Sequence, residues 1–279
     1  MKNLLTFDVE DWYQGLDVSI DRWSSFEKRL SIGLDFILNA LAEHGTSATF
    51  FVLGVTAVEH SDWVRRIAAA GHEVGTHGWS HTPIYRQSRK QFCAELSRSI
   101  ETLQELVGRQ VNGHRAALFS ITARSWWVFD ELAQAGLRYD SSIFPVYNYR
   151  YGIPSAERFP HPVPLCAPDQ PAFWEFPIAT LRLGGLNVPV GGGFYARFWC
   201  YEFLHWAIKH LNAQGQPALF YFHPWEFDAD QPRLWREARW LARATHYHRL
   251  AGARKTLLRL LSHFEWMPVE AFTPRPLLE

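Results

Sequence analysis

Ala48-Thr-Phe-Phe-Val-Leu-Gly54 and Glu73-Val-Gly-Thr-His77 are the two stretches on which the reading of the fold turns. Each is a short run rich in apolar and β-branched residues, and the second ends on an ionisable side chain. The residues between them, from Asp62 through Val64, Ile67 and Ala68 to Gly71, carry helical spacing with an N-cap and a glycine stop. Strand, helix, strand in this order is a βαβ unit. Outward from it the alternation continues. Leu4-Leu-Thr-Phe-Asp8 reads as a buried strand ending in acid, and Ser31 to His44 as a helix with Leu34, Ile37, Leu38 and Leu41 on one stripe. Helices are expected from Lys90 to Leu106 and from Ala123 to Ala135, with a short strand leading to Arg115 between them. The expected class is α/β, a mostly parallel sheet, open or closed into a barrel.

The texture changes between Pro145 and Pro189, which hold nine of the 16 prolines. Long loops and edge strands wrapped on the core fit this span, because Phe159, Phe173, Trp174 and Phe176 need cover. A helix from Trp199 to Leu211, a strand from Ala218 to Phe222 and a last helix from Leu250 to Phe264 complete the pattern. One domain of 279 residues is the simplest account, with a core over about 1–228 and an extension over about 229–279.

Composition narrows the function classes. Lys plus Arg and Asp plus Glu are 28 each, so the broad attraction needed for non-specific nucleic-acid binding is missing. Cys93, Cys166 and Cys200 show no CxxC spacing and read as buried free thiols of a reducing compartment. The opening residues lack a signal-peptide pattern, and no apolar stretch is long enough for a membrane span. A cytoplasmic protein is expected, with peripheral association at the inner membrane face left open. Thirteen Trp, 20 Phe and 10 Tyr either over-fill a core or line a groove for sugar rings.

In parallel sheets ligands gather at the carboxyl ends of strands. Polar groups fall there repeatedly: Asp8 with Glu10 and Asp11, His77 with His81, Arg115, Asp140 with Ser141 and Ser142, and His223. His77 and His81 are four apart, and on a helical turn such a pair reaches one metal. Gly78 stands where the HExxH metalloproteases have their glutamate, so that reading loses its general base. A cluster of acids is often only a solvated turn, yet this one closes a buried strand and precedes Trp12 and Tyr13. One carboxylate can ligate a cation while another acts as base. His223, between aromatics, reads as a general acid or a core histidine, and Arg115 as a carboxylate clamp or an ordinary ion pair.

Taken in order, these segments resemble the polysaccharide deacetylase family (NodB homology, carbohydrate esterase 4). Thr6-Phe7-Asp8 is similar to its opening motif, His77-Gly-Trp-Ser-His81 to its HxxxH motif, Arg115 to the arginine of its RxP motif, and Phe-Tyr-Phe-His223 to its closing motif. The Asp-Val-Glu-Asp-Trp opening and the His-Pro-Trp-Glu-Phe-Asp close look most like a subgroup found with exosortase-type exopolysaccharide clusters, whose C-terminal extension would be Arg233 to Phe264 here. The resemblance implies a distorted (β/α) barrel, usually seven-stranded, with a divalent cation, zinc by expectation, held by two histidines and a carboxylate. It implies Asp8 as general base, Arg115 as its orienting partner, His223 as general acid and an N-acetylated glycan as substrate. Val9 stands where the common motif has a second Asp, so the third ligand shifts to Glu10 or Asp11, with Glu10 favoured. Ala117 replaces the RxP proline. Trp12, Trp79 and Trp225, with Asp140 and Ser141, are expected to line the substrate groove, whereas Trp126, Trp127, Trp206, Trp240 and Trp266 are expected to be packing.

Overall fold

The computed structural model describes residues 1–16, 18–148, 151–166, 172–234 and 239–272. Its sheet is built from β1 (Asn3–Val9), β2 (Thr49–Val52), β3 (Glu73–Thr76), β4 (Gly113–His114), β5 (Tyr139–Asp140), β6 (His161–Val163), β7 (Phe173–Glu175) and, late in the chain, β10 (Leu219–Phe222). The order is β10-β1-β2-β3-β4-β5-β7-β6, parallel throughout except for the antiparallel edge strand β6. The intervening hairpin of β8 (Thr180–Leu183) and β9 (Leu186–Pro189) closes the gap. At its base Ala179 N–H donates to Leu219 O at 3.1 Å, and Tyr221 N–H to Gly191 O at 3.1 Å. The result is a curled, mostly parallel half-barrel, as the strand–helix alternation implied, with a strand count close to the seven that the family resemblance implied.

Burial of both faces explains why β1, β2 and β10 read as nearly continuous apolar runs. Leu5, Phe7, Val9, Phe50, Val52, Phe220 and Phe222 face one way, into the layer shared with the helices. Leu4, Phe51, Tyr139, Leu219 and Tyr221 face the barrel interior. The helical layer comprises α1 (Leu30–Glu43), α2 (Gly54–Glu59), α3 (Ser61–Ala69), α4 (Arg89–Val107), α5 (Val128–Gln134), α6 (Gly193–Phe198), α7 (Tyr201–Ala213), α8 (Trp240–His246) and α9 (Leu250–His263). Helix α4 is the most fully specified: Ser88 and Gln91 form a capping box, and Gly108 ends it with φ +68°. After α9, β11 (Trp266–Met267) pairs in parallel with Asn3 and Leu4 at the start of β1. Residues 235–238 and 273–279 of the expected extension lie outside the described residues.

Three expectations need correction. The helix read from Trp199 to Leu211 is α7, which starts at Tyr201, and a separate short helix, α6, precedes it where no helix was expected. The cysteines are unpaired but not buried: Cys166 and Cys200 are exposed and Cys93 is half-buried. Trp206, Trp240 and Trp126 are exposed rather than packed, while Trp266 is in the core. Among the described residues no helix is long and apolar enough to cross a membrane.

The amino-end floor of the barrel holds a buried carboxyl, Glu73. It accepts from Tyr139 Oη at 2.6 Å, Thr49 Oγ1 at 2.5 Å and Glu270 N–H at 3.0 Å. Burial, with the charge of Glu270 added, pushes it up to about 7. The folded chain therefore holds a proton here that the unfolded chain releases above its ordinary carboxyl range, so stability falls as pH rises from about 4.5 to 7. Glu73→Gln is expected to remove that slope, a relative gain on the order of 3 kcal/mol at pH 8. Urea unfolding of both proteins at pH 5 and pH 8 measures it, and parallel pH dependences would refute the assignment.

Candidate active site

β1 ends in the acid cluster, and its alternation sends Thr6 and Asp8 inward. Asp8 Oδ1 accepts from Arg115 Nη1 at 2.7 Å. Arg115 is fully buried; it also donates to Thr6 Oγ1, Ser141 O and Ser141 Oγ at 2.7–2.8 Å, and its guanidinium lies 4.4 Å from the Phe51 ring centre. Glu10, one turn of loop further, reaches the histidine pair. Its Oε1 is 2.9 Å from Nε2 of both His77 and His81, and the ligand atoms of all three lie within 4.8 Å of one another.

The pair is not brought together by a helix. His77 follows β3 directly, and the chain then turns through Gly78 at φ +79° and His81 at φ +57°. A left-handed histidine is strained, and such residues persist where surrounding contacts over-determine them. Here Gly54 N–H and Val55 N–H bind the carbonyls of Gly78 and Trp79 at 2.9 and 3.1 Å. Gly54 is required at that contact, since a Cβ there would lie 2.2 Å from the Trp79 ring.

This donor set fits a divalent cation. His77 Nδ1 lies 2.8 Å from Arg115 O and must donate to it, which leaves a lone pair on Nε2 facing the Glu10 carboxylate. Two lone pairs at hydrogen-bond distance need a positive charge between them, from a proton or a metal. Burial works to raise the Glu10 carboxyl, yet the charges of His81 and His223 and the hydrogen bonds of both paired imidazoles hold it well below the usual carboxylate range. Two imidazoles and one carboxylate also leave coordination positions open.

Asp11, the other candidate ligand, is committed elsewhere. Its Oδ2 accepts from Arg29 N–H at 3.0 Å and Leu30 N–H at 3.3 Å, capping the start of α1, and its Oδ1 accepts from Trp12 N–H at 2.8 Å. Burial raises its carboxyl despite these bonds. Of the two acids, only Glu10 stands in the cluster.

His223 enters from the end of β10. Its Nδ1 is 2.9 Å from Glu226 Oε1, and Glu226 Oε2 accepts from Arg197 Nε at 2.7 Å. Burial would lower the imidazole, but the charge of Glu10 and the hydrogen bond and charge of Glu226 raise it, favouring the protonated ring. Sequence reading overlooked Glu226 and Arg197. The His-Pro-Trp-Glu spacing, with proline at the first helical position and an acid at the third, carried the signal for Glu226. Gly193 makes room for that carboxylate, because a Cβ there would sit 1.9 Å from Glu226 Oε1. Below His223 the rings of Trp225 (4.8 Å, 20°) and His246 (3.8 Å from Trp225, 15°) form a stack. Gln231 fixes the last ring: its amide nitrogen donates to Trp225 O and Asp228 O, so its oxygen accepts from His246 Nε2 at 2.7 Å.

One pocket is lined by Asp8, Glu10, His77, His81, His223, Trp225, Tyr221, Thr245 and His246. The expected groove residues divide around it. Trp225 lines it. Trp12 does not, being 1% exposed, with Nε1 donating to Glu27 O and its ring against Tyr13 and Phe26. Trp79 turns away onto Gly54, beneath the Arg98 guanidinium at 3.7 Å. Asp140 and Ser141 are fully buried under the floor: Asp140 binds His114 Nδ1 at 2.5 Å and Ser142 N–H at 2.8 Å, and Ser141 binds Arg115. They support the site without facing it.

Comparison with known proteins agrees with this layout. Residues 23–139 match the family described as polysaccharide deacetylase, and residues 141–273 match a domain of unknown function, DUF3473. The two matched regions contribute to one sheet, β2 to β4 lying in the first and β6, β7 and β10 in the second. The chain is 30% identical over 130 residues to a peptidoglycan deacetylase of Helicobacter pylori, covering 43% of this chain and 42% of that one. It is 56% identical over 67 residues to a chitooligosaccharide deacetylase of Rhizobium leguminosarum bv. trifolii, covering 24% of this chain and 31% of that one. The matches thus span less than half the length of these curated relatives. A solved Mycobacterium smegmatis protein assigned to the polysaccharide deacetylases has the same fold, with TM-score 0.60 at 21% identity over 99% of this chain and 93% of that one.

The geometry separates the two acids experimentally. Glu10→Ala and His77→Ala are each expected to weaken binding of a divalent cation by more than about 100-fold, beyond the range of an outer-shell partner. Asp11→Ala should keep the cation and instead lose about 2 kcal/mol of stability through the bared helix end. Calorimetric cation titration and thermal melting read both, and cation loss in Asp11→Ala would reverse the assignment.

Proposed function

We propose that the chain is a metal-dependent hydrolase that removes N-acetyl groups from an N-acetylhexosamine-containing polysaccharide or its precursor. The observation that carries this reading is the convergence in one pocket of the Glu10–His77–His81 donor set, Asp8 clamped by Arg115, and His223 backed by Glu226. The peptidoglycan and chitooligosaccharide deacetylases that match parts of the chain support the substrate class. A catalytically decayed scaffold is disfavoured, since each charged group has its partner.

Asp8 is the general base. With Oδ1 tied to Arg115, Oδ2 takes the proton of the water that attacks the acetamide carbonyl carbon. A divalent cation at Glu10, His77 and His81, zinc by the donor set, supplies Lewis-acid polarisation and acidifies water when bound. His223 is the general acid: its Nδ1–H points to Glu226, so its Nε2–H serves the departing nitrogen. Proton delivery there accompanies rupture of the C–N bond, releasing acetate and leaving the amine on the sugar. Trp225 and His246 hold the imidazole plane by stacking.

Asp8→Asn and His223→Ala are each expected to cut turnover of N-acetylglucosamine oligomers by about 10²–10⁴-fold. Glu226→Gln should lower kcat about tenfold or more with KM unchanged, because it touches only the acid's support. Acetate release is the readout. Wild-type turnover in Asp8→Asn or His223→Ala would overturn the roles, and no acetate from any acetylated glycan would overturn the function.

A further inference from the structure

Helix α7 has one stripe too many. Leu204, Ala207, Ile208 and Leu211 face the core at helical spacing and account for its packing. Phe203, Trp206 and His210 form a second stripe at i, i+3 and i+7, in which Phe203 is half-buried against the core and Trp206 and His210 are exposed. This stripe continues a line of rings that begins in the active-site pocket. Phe194 lines that pocket. From it the centroids step to Phe198 (5.7 Å), Trp199 (4.8 Å), Phe203 (4.6 Å), Trp206 (5.7 Å) and His210 (5.4 Å). Phe198 and Trp206 are each 46% exposed. Phe194, Trp199 and Phe203 are half-buried, so the row is a partly exposed aromatic patch continuous with the pocket, and such patches, unlike single exposed aromatics, mark binding surfaces.

Charge and continuity say what the row receives. Helix α7 carries Glu202 and Lys209 in balance and the chain has no net charge, so the electrostatic term for an anionic membrane or a polyanion is missing. A pyranose ring presents apolar C–H faces and a rim of hydroxyls. The row offers exposed aromatic surface at Phe198 and Trp206 and polar neighbours in His210 and Gln214, which bond each other at 2.9 Å. Its inner end opens where the acetamide must lie.

We propose that Phe194, Phe198, Trp199, Phe203, Trp206 and His210 form an extended binding track for the glycan chain flanking the residue that is deacetylated. This rests on the N-deacetylase reading above, and it makes the substrate a polymer engaged over several sugars. The track lies wholly within the DUF3473 region, at 141–273.

The test compares N-acetylglucosamine dimers and hexamers on the full chain. In the wild type kcat/KM should rise with length. Phe198→Ala and Trp206→Ala should each lower it about tenfold on the hexamer through KM, leaving kcat, dimer kinetics and the melting temperature unchanged; tenfold is about 1.4 kcal/mol, near the upper end for one aromatic contact. Hexamer binding by calorimetry is a readout independent of turnover. Retained hexamer affinity in both variants overturns the track even if acetate is released, in which case the N-deacetylase reading stands. Hexamer binding that depends on Trp206 without acetate release keeps the track and sinks that reading. Unchanged hexamer binding alongside lost sedimentation with phosphatidylglycerol-containing vesicles would overturn the track in favour of a lipid surface.

Discussion

Everything at the carboxyl end of the sheet hangs from one buried cation. Arg115 has no solvent to share its charge, and an unpaired guanidinium there would cost several kcal/mol. It is satisfied by Asp8, Thr6 and both oxygens of Ser141, which ties β1 to the ends of β4 and β5. Thr6 extends the tie to β10 through Phe220 O at 3.1 Å. The loop after Arg115 is held by the same floor. Ala116 N–H donates to Ser142 Oγ at 2.7 Å, and Ser142 is in turn fixed by Asp140. A hydrogen bond thus fastens the segment that leads into Ala117.

Much of the barrel was legible because buried strands and one-sided helices leave short periods in the sequence. Asp8, the histidine pair, Arg115 and His223 were legible for a related reason: a charged residue closing an apolar run has a direction imposed on it by the strand. Direction is lost once the chain leaves the strand. Trp12 follows the acid cluster yet turns into a shell of aromatics, and Trp79 sits between two site histidines yet packs outward, because the left-handed turns at Gly78 and His81 rotate it away. Asp140 and Ser141 were placed at the correct strand end but one layer too high. Trp206 failed the opposite way, since an apolar residue in a helix says nothing of which of two stripes it joins.

The two halves of the chain do not divide catalysis from decoration. The first half supplies Asp8, Glu10, His77, His81 and Arg115. The second supplies His223 and all that holds it. Arg197 is the joint: besides Glu226 it binds the carbonyls of Thr245, His246 and His248, where its positive charge also suits the end of α8. The ring stack under His223 therefore depends on a helix far along the chain from the motif it serves.

The pairing of β11 with β1 bears on how the molecule assembles as it is made. Among the described residues, two of the three lateral partners of β1 lie far down the chain, at Leu219–Phe222 and Trp266–Met267. The edge of β1 opposite β2 stays open until β10 is available, and contacts of such sequence separation form slowly. A nascent chain therefore carries an apolar strand in need of shelter while the residues between β1 and β10 are made. The strand that bears Asp8 is fully enclosed only when its distant partners arrive.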